Sequence, residues 1–253
     1  MSLFTILNTI NTNAALPSIS PSDVSSLSEL EYEAYGHWMF DQGDSSGLTS
    51  KINSKALSLQ DAAPTYNEYF LTIASAVGDA LLTDIADSAD AVDTVSCVFR
   101  VPGLSQANPL VGTLSTSASG DGGGVYVSTA TGIIIANYRG TSIDGGVDEG
   151  LSPDNTIVAD KWYFMAVSRD FASATKTVIG MLGGESAITL TGSGAYSPLG
   201  NIALGNAYFT DLGFASDFAE LVVFKDKALT ATEMQSLYVR AKDRMALRGI
   251  VVE

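Results

Sequence analysis

The chain has 253 residues, of which 13 are basic and 28 acidic, and its formal charge is −15 with 46% of residues hydrophobic and only 16% charged. So much apolar content excludes disorder over most of the length. A field of this sign repels nucleic acid and anionic membranes, so neither is expected as a partner.

The first 35 residues differ in texture from the rest. Leu3, Phe4, Ile6, Leu7 and Ile10 make an apolar stretch among Asn and Thr, and Pro17 and Pro21 punctuate it. A helix is expected over 22–34, with Ser20 or Ser22 as its cap and Asp23 in its first turn. The stretch opens without a basic region, and no apolar run approaches transmembrane length, so neither a secretory leader nor membrane insertion is expected.

From His37 to about Lys227 the signals are β. Strands are expected at 37–41, 56–60, 69–73, 94–101, 110–115, 123–128, 132–138, 161–169, 175–182, 186–190, 201–205 and 217–225. Clusters such as Ser119-Gly120-Asp121-Gly122-Gly123-Gly124 separate many of them. Segment 78–90 carries a pattern compatible with a helix and is read as a strand plus loop. Short strands at this spacing argue for a sandwich or jelly roll of two antiparallel sheets rather than alternating βα units. The single cysteine, Cys97, lies among alternating apolar residues and reads as a buried small hydrophobe. Alone, it excludes a disulfide framework and a multi-cysteine metal site.

A helix is expected at 230–248. Thr230 and Glu233 have capping-box spacing, and Met234, Leu237, Tyr238, Ala241 and Met245 recur on one face. Arg240, Lys242, Arg244 and Arg248 crowd its second half, which suits the helix dipole and reads as a solvated end, and Gly249 makes a natural stop.

Three stretches together resemble the concanavalin A-like, laminin-G-like jelly roll. They are Trp38-Met39-Phe40-Asp41 with Asp44-Ser45-Ser46-Gly47, then Asp160-Lys161-Trp162-Tyr163-Phe164-Met165-Ala166-Val167, then Leu204-Gly205-Asn206 leading to 218–224 and 228–234. The family often follows its Trp strand with a Y-V-D-G hairpin; here Val178 to Gly184 stand in that place. The resemblance implies an arm and short helix at 1–35, a jelly-roll domain at 36–228, and a helix and tail at 229–253 packed on it. The long terminal helix and the arm are similar to laminin-G-like modules of bacteriophage virions. This implies a non-enzymatic structural protein of a capsid decoration, tail or fibre, assembled in the host cytoplasm. In that setting Leu3, Phe4, Ile6, Leu7 and Ile10 are expected to dock on other virion proteins or on a neighbouring copy in a homo-oligomer, a trimer by analogy, with fold-back on the chain's own sandwich as the alternative. The second functional reading is a lectin-like module that recognises a host surface glycan.

Gly43-Asp44-Ser45-Ser46-Gly47 fits the G-x-S-x-G pattern of a hydrolase elbow, but the one histidine, His37, precedes Ser45, and no helical periodicity follows. Paired carboxylates of a glycosidase strand would alternate; Asp217 and Glu220 are oddly spaced, and Glu29, Glu31 and Glu33 lie outside the sandwich. No cofactor is expected. Asp144, Asp148 and Glu149 in a Gly-rich loop are the weak candidates for Ca²⁺, with plain solvated charge as the alternative, and Asp121 lies in another such loop. Tyr126, Tyr138, Tyr196 and Tyr208 fall near loops or strand ends and are the candidates for stacking on a sugar, while Trp38 and Trp162 are expected in the core.

Overall fold

The computed structural model describes residues 27–115, 120–128, 132–143, 157–209 and 213–253. It is an all-β sandwich of two antiparallel sheets with a C-terminal helix. Along the chain come α1 (Glu29–Tyr32), β1 (Gly36–Met39), a 3₁₀ turn (Ser45–Leu48), β2 (Ser58–Leu59), β3 (Thr65–Tyr66), β4 (Leu71–Ile73) and β5 (Asp79–Ala86). There follow β6 (Val92–Arg100), β7 (Asn108–Gly112), β8 (Gly123–Val127), β9 (Ile134–Tyr138), β10 (Trp162–Asp170) and β11 (Lys176–Leu182). The last elements are β12 (Ile188–Gly192), β13 (Asn201–Asn206), β14 (Ser216–Lys225) and α2 (Ala231–Ala246).

The larger sheet runs β12-β11-β10-β6-β14-β4-β3, and β1 also pairs with β14. One edge of β14 is therefore shared by two short strands: β4 against Ser216–Phe218, and β1 against Glu220–Val223. The smaller sheet runs β2-β5-β13-β7-β8-β9. Between the sheets, alternate residues make the first core: Val95, Cys97 and Phe99 of β6 and Leu221 and Val223 of β14 meet Leu81, Leu110 and Val125 of the smaller sheet.

The other face of the larger sheet is covered as well. Val98, Phe164, Ala166, Val222 and Phe224 pack there under Met234, Leu237, Tyr238, Ala241 and Met245, the apolar stripe expected of α2. β6 and β10 therefore show nearly continuous burial instead of alternation. The helix starts at the expected cap: Thr230 Oγ1 accepts from the Glu233 amide at 3.3 Å, and Glu233 accepts from the Thr230 amide at 2.8 Å. After it, the tail returns to β10, where the Glu253 amide donates to the Trp162 carbonyl at 3.0 Å.

The expected early helix is corrected. Among the described residues of 22–34 it is the single turn α1, capped by Ser28 with Glu31 completing a capping box, while Ser20, Ser22 and Asp23 lie outside the described residues. Segment 78–90 is the strand β5 followed by a loop, because Leu81 and Ile85 alternate toward the core. The two-residue β3 carries no alternation to read. No helix among the described residues is long and apolar enough to cross a membrane.

Candidate functional site

Of the candidate residues, Leu3, Phe4, Ile6, Leu7, Ile10, Asp144, Asp148 and Glu149 lie outside the described residues. Asp121 is described, and its carboxylate accepts from Ser197 Oγ. The four tyrosines separate into two pairs. Tyr138 and Tyr196 are 3% and 4% exposed, inside the sandwich, where both pack edge-on against Phe171. Arg169 lies 5.7 Å from the Tyr138 ring and 5.5 Å from the Tyr196 ring, and makes a two-pronged bond to Asp93 at 2.7 and 2.8 Å. Asp87 accepts from Tyr196 Oη at 2.5 Å. Burial pushes both phenols up, Asp87 adding to it and Arg169 opposing it, so each stays a neutral hydroxyl. Rings so enclosed present no face to a sugar, which corrects half of the expected platform.

Tyr126 and Tyr208 stand elsewhere. Val125 and Val127 point into the core, so Tyr126 between them faces outward from the smaller sheet. It lies 5.7 Å from Phe209, with the ring planes tilted by 32°. Tyr208, half-buried, rests on Ala80, Ala203 and Ala207, and its hydroxyl accepts from the Asn201 amide at 3.1 Å. Between the two tyrosines the floor is made of small residues, including Gly112, Gly205 and Ala207. Gly112 has φ +117°, and a Cβ there would sit 2.4 Å from the Gly123 carbonyl oxygen; Gly205 has φ +91°. Both positions need glycine, and at Gly205 the missing side chain would meet Ile73 of the core. The result is an aromatic and small-residue surface on the sheet face that no helix among the described residues covers.

The helix-covered side carries the densest charge. His37 on β1, Glu220 on β14 and Glu31 on α1 bring one donor atom each within 4.8 Å of one another, all buried. That donor set could hold a cation, but Arg244 of α2 already supplies the charge. Its Nη1 reaches Glu31 at 2.5 Å, and its Nη2 and Nε reach Glu220 at 2.5 and 3.1 Å. His37 Nε2 lies 3.0 Å from Glu220, and Arg240 Nε donates to Glu31 at 2.6 Å. Burial works against the Glu220 carboxylate, yet Arg244 and His37 outweigh it and hold its pKa well below the usual range; Glu31 is lowered in the same way by Arg244 and Ser28. Just past the helix end, Arg248 binds Asp41 at 2.8 Å, and Lys51 lies 3.1 Å from the same carboxylate. Arg244 and Arg248 are thus buried latches between α2 and the sheet, where a solvated helix end was expected.

The nucleophile reading fails on geometry. Ser45 opens a 3₁₀ turn capped by Asp44, not an α-helix after a strand, and the accessible lone pair of a base is lacking because His37 is buried against Glu220. The odd spacing of Asp217 and Glu220 does not set them on opposite faces. A bulge between Phe218 and Glu220 shifts the register, so Asp217 opposite Arg100 and Glu220 opposite Val98 face the same side. Each is bound by an arginine, Asp217 by Arg100 Nε at 2.8 Å.

A groove of about 670 Å³ lies between α2 and the β11–β12 turn, lined by Met181, Ala187, Ala231, Gln235, Val239 and Arg240 among others. It contains no aromatic ring. Sequence reading missed it, since its walls come from two segments about 50 residues apart, neither of which shows an unusual pattern.

No protein-family model and no curated protein sequence matches the chain. Solved structures share its fold. A sialidase of Trypanosoma rangeli, in a covalent-intermediate complex with 2,3-difluorosialic acid, is 14% identical with a TM-score of 0.57 over 84% of this chain and 33% of that one. The ligand-binding domain of botulinum neurotoxin serotype D, in complex with N-acetylneuraminic acid, is 12% identical with a TM-score of 0.53 over 83% and 51%. The receptor-binding domain of botulinum neurotoxin type G is 10% identical with a TM-score of 0.51 over 83% and 52%. The chain thus spans about a third of the sialidase and about half of each neurotoxin domain. At such identities the likeness is one of fold. It overturns the expectation that the chain is not an enzyme, because sialidases stand among the structures with this fold. The neighbours give the virion reading no support.

Proposed function

We propose that the chain recognises glycan through the uncovered face of its smaller sheet, with Tyr126 and Tyr208 as the platform. The observation that carries this reading is the pair of half-buried rings lining one surface with the small residues Gly112, Gly205 and Ala207. Pyranose rings offer patches of C–H to an aromatic face and hydroxyls to the amides around it. Asn206, in the same surface, spends its side chain on the Ser75 carbonyl and the Phe209 amide, which holds the loop carrying Tyr208 in place. The neurotoxin domain solved with N-acetylneuraminic acid shares the fold and supports a glycan as the ligand class, with sialylated sugars as the first to test.

The test is an array of sialylated and neutral glycans probed with the full chain, followed by titration of each hit with Tyr126→Ala and Tyr208→Ala. Binding at a defined sugar, weakened at least ~10-fold by either substitution, is the expected result, the loss of one stacked ring contact being worth about 1–3 kcal/mol by analogy with base stacking on aromatics. No reproducible binding, or binding indifferent to both substitutions, overturns the reading. Measuring released sugar in the same wells shows whether recognition is joined to turnover.

A further inference from the structure

We propose that the apolar groove between α2 and the β11–β12 turn is the seat of residues 3–10 of the same chain. Three observations converge on that occupant. The first is the groove itself. The apolar stripe of α2 is spent on the sheet, so Ala231, Gln235 and Val239 form a separate flank, and Val239 is left 49% exposed beside Met181 and Ala187. An exposed apolar surface of this kind marks a contact.

The second is chemical match. Before Asp23 the chain carries no charged side chain, and Leu3, Phe4, Ile6, Leu7 and Ile10 make half of its first ten residues apolar. Such a segment loses no ion hydration when it is laid against apolar walls, and burying its side chains removes apolar area from water. A sugar would find no ring there on which to stack.

The third is where the segment is attached. It leads into Ser28, whose hydroxyl and amide both bond Glu31, and Glu31 accepts from Arg240, which itself lines the groove. The root is therefore one side chain away from the groove. From Ser28 back to Ile10 is 18 residues, a tether short enough to keep the segment's local concentration near the millimolar range. Its own groove is favoured over that of a second copy until copies are as concentrated.

The experiment is hydrogen exchange by mass spectrometry on the full chain, on Val239→Asp and on Val239→Leu, at several protein concentrations with mass followed by light scattering. Residues 3–10 are expected to exchange at least tenfold more slowly than the free-chain rate, independently of concentration, in the wild type and in Val239→Leu. In Val239→Asp they should return to the free-chain rate while β6 and β14 keep their protection, since a half-exposed position tolerates a charge. Free-chain rates in the wild type overturn the proposal. So does protection that survives Val239→Asp, and so does protection that grows with concentration together with mass, which would place the segment on a second copy.

Discussion

The two outer faces of the sandwich are built on opposite principles. On the larger sheet the face under α2 is dry and ionic: Arg244, Glu31, Glu220 and His37 are buried together, and every carboxylate has an arginine. On the smaller sheet the face is open and uncharged at its centre, with Ala80, Ala203 and Gly205 under Tyr208 and Tyr126. Buried ions need partners fixed in place, so the first face is rigid by necessity and has little to offer a visitor. The second carries half-buried aromatic rings in place of ion pairs.

The contrast can be broken from the covered side first. Arg244→Ala leaves buried Glu220 with His37 alone and Glu31 with Arg240 alone, and is expected to cost about 3–5 kcal/mol, read by urea unfolding. A cost under about 1 kcal/mol would mean that water reaches the cluster. Trp162→Ala, which removes the ring between Phe70 (5.4 Å) and the Arg100 guanidinium (4.8 Å), should cost a similar ~3–5 kcal/mol by opening a cavity.

The acid limb of stability comes next in size. Glu220 and Glu31 are both held below their ordinary value of 4.5, so near that pH the unfolded chain binds more protons than the folded one. Their contribution is complete above that value and is lost as the pH falls below it. Circular dichroism against pH should show the wild type losing stability below about 4.5, and Glu220→Gln, less stable at neutral pH, losing less over the same interval. A wild-type limb that Glu220→Gln leaves unchanged would place the titration elsewhere. The smallest effect belongs to Thr230→Ala, which removes the cap of α2 and should cost about 1 kcal/mol, seen as a small shift of the urea midpoint.

What the sequence showed was local. The α2 stripe, its capping box and the burial of Cys97 follow from spacing within one element, and the structure repeats them. What it hid was any partner at long range. Arg244 reads as a solvated charge on a helix end because Glu31 lies 213 positions away. Asp217 and Glu220 read as facing apart because a bulge cannot be seen in a period of two. Tyr138 and Tyr126 both read as rim aromatics, and only the inward and outward sides of adjacent strands, fixed by pairing, tell them apart. His37 lies 3.0 Å from Glu220, and nothing in its sequence neighbourhood names that partner.

β14 has a consequence for the order in which the molecule can be made. It sits at the middle of the larger sheet, yet it follows in the chain all three of the strands it touches, β6, β4 and β1. On the ribosome, at about 5–20 residues per second, β1 must wait for a partner that emerges roughly ten to forty seconds later. Until then the edge of β6 is bare and Trp38 has no neighbour at Leu221. Contacts this distant in sequence slow the search for the native state and leave unpaired edges open to aggregation. The sheet closes in one late step, and yield should be sensitive to temperature and to holding chaperones before that step, more than to the stability of the finished fold.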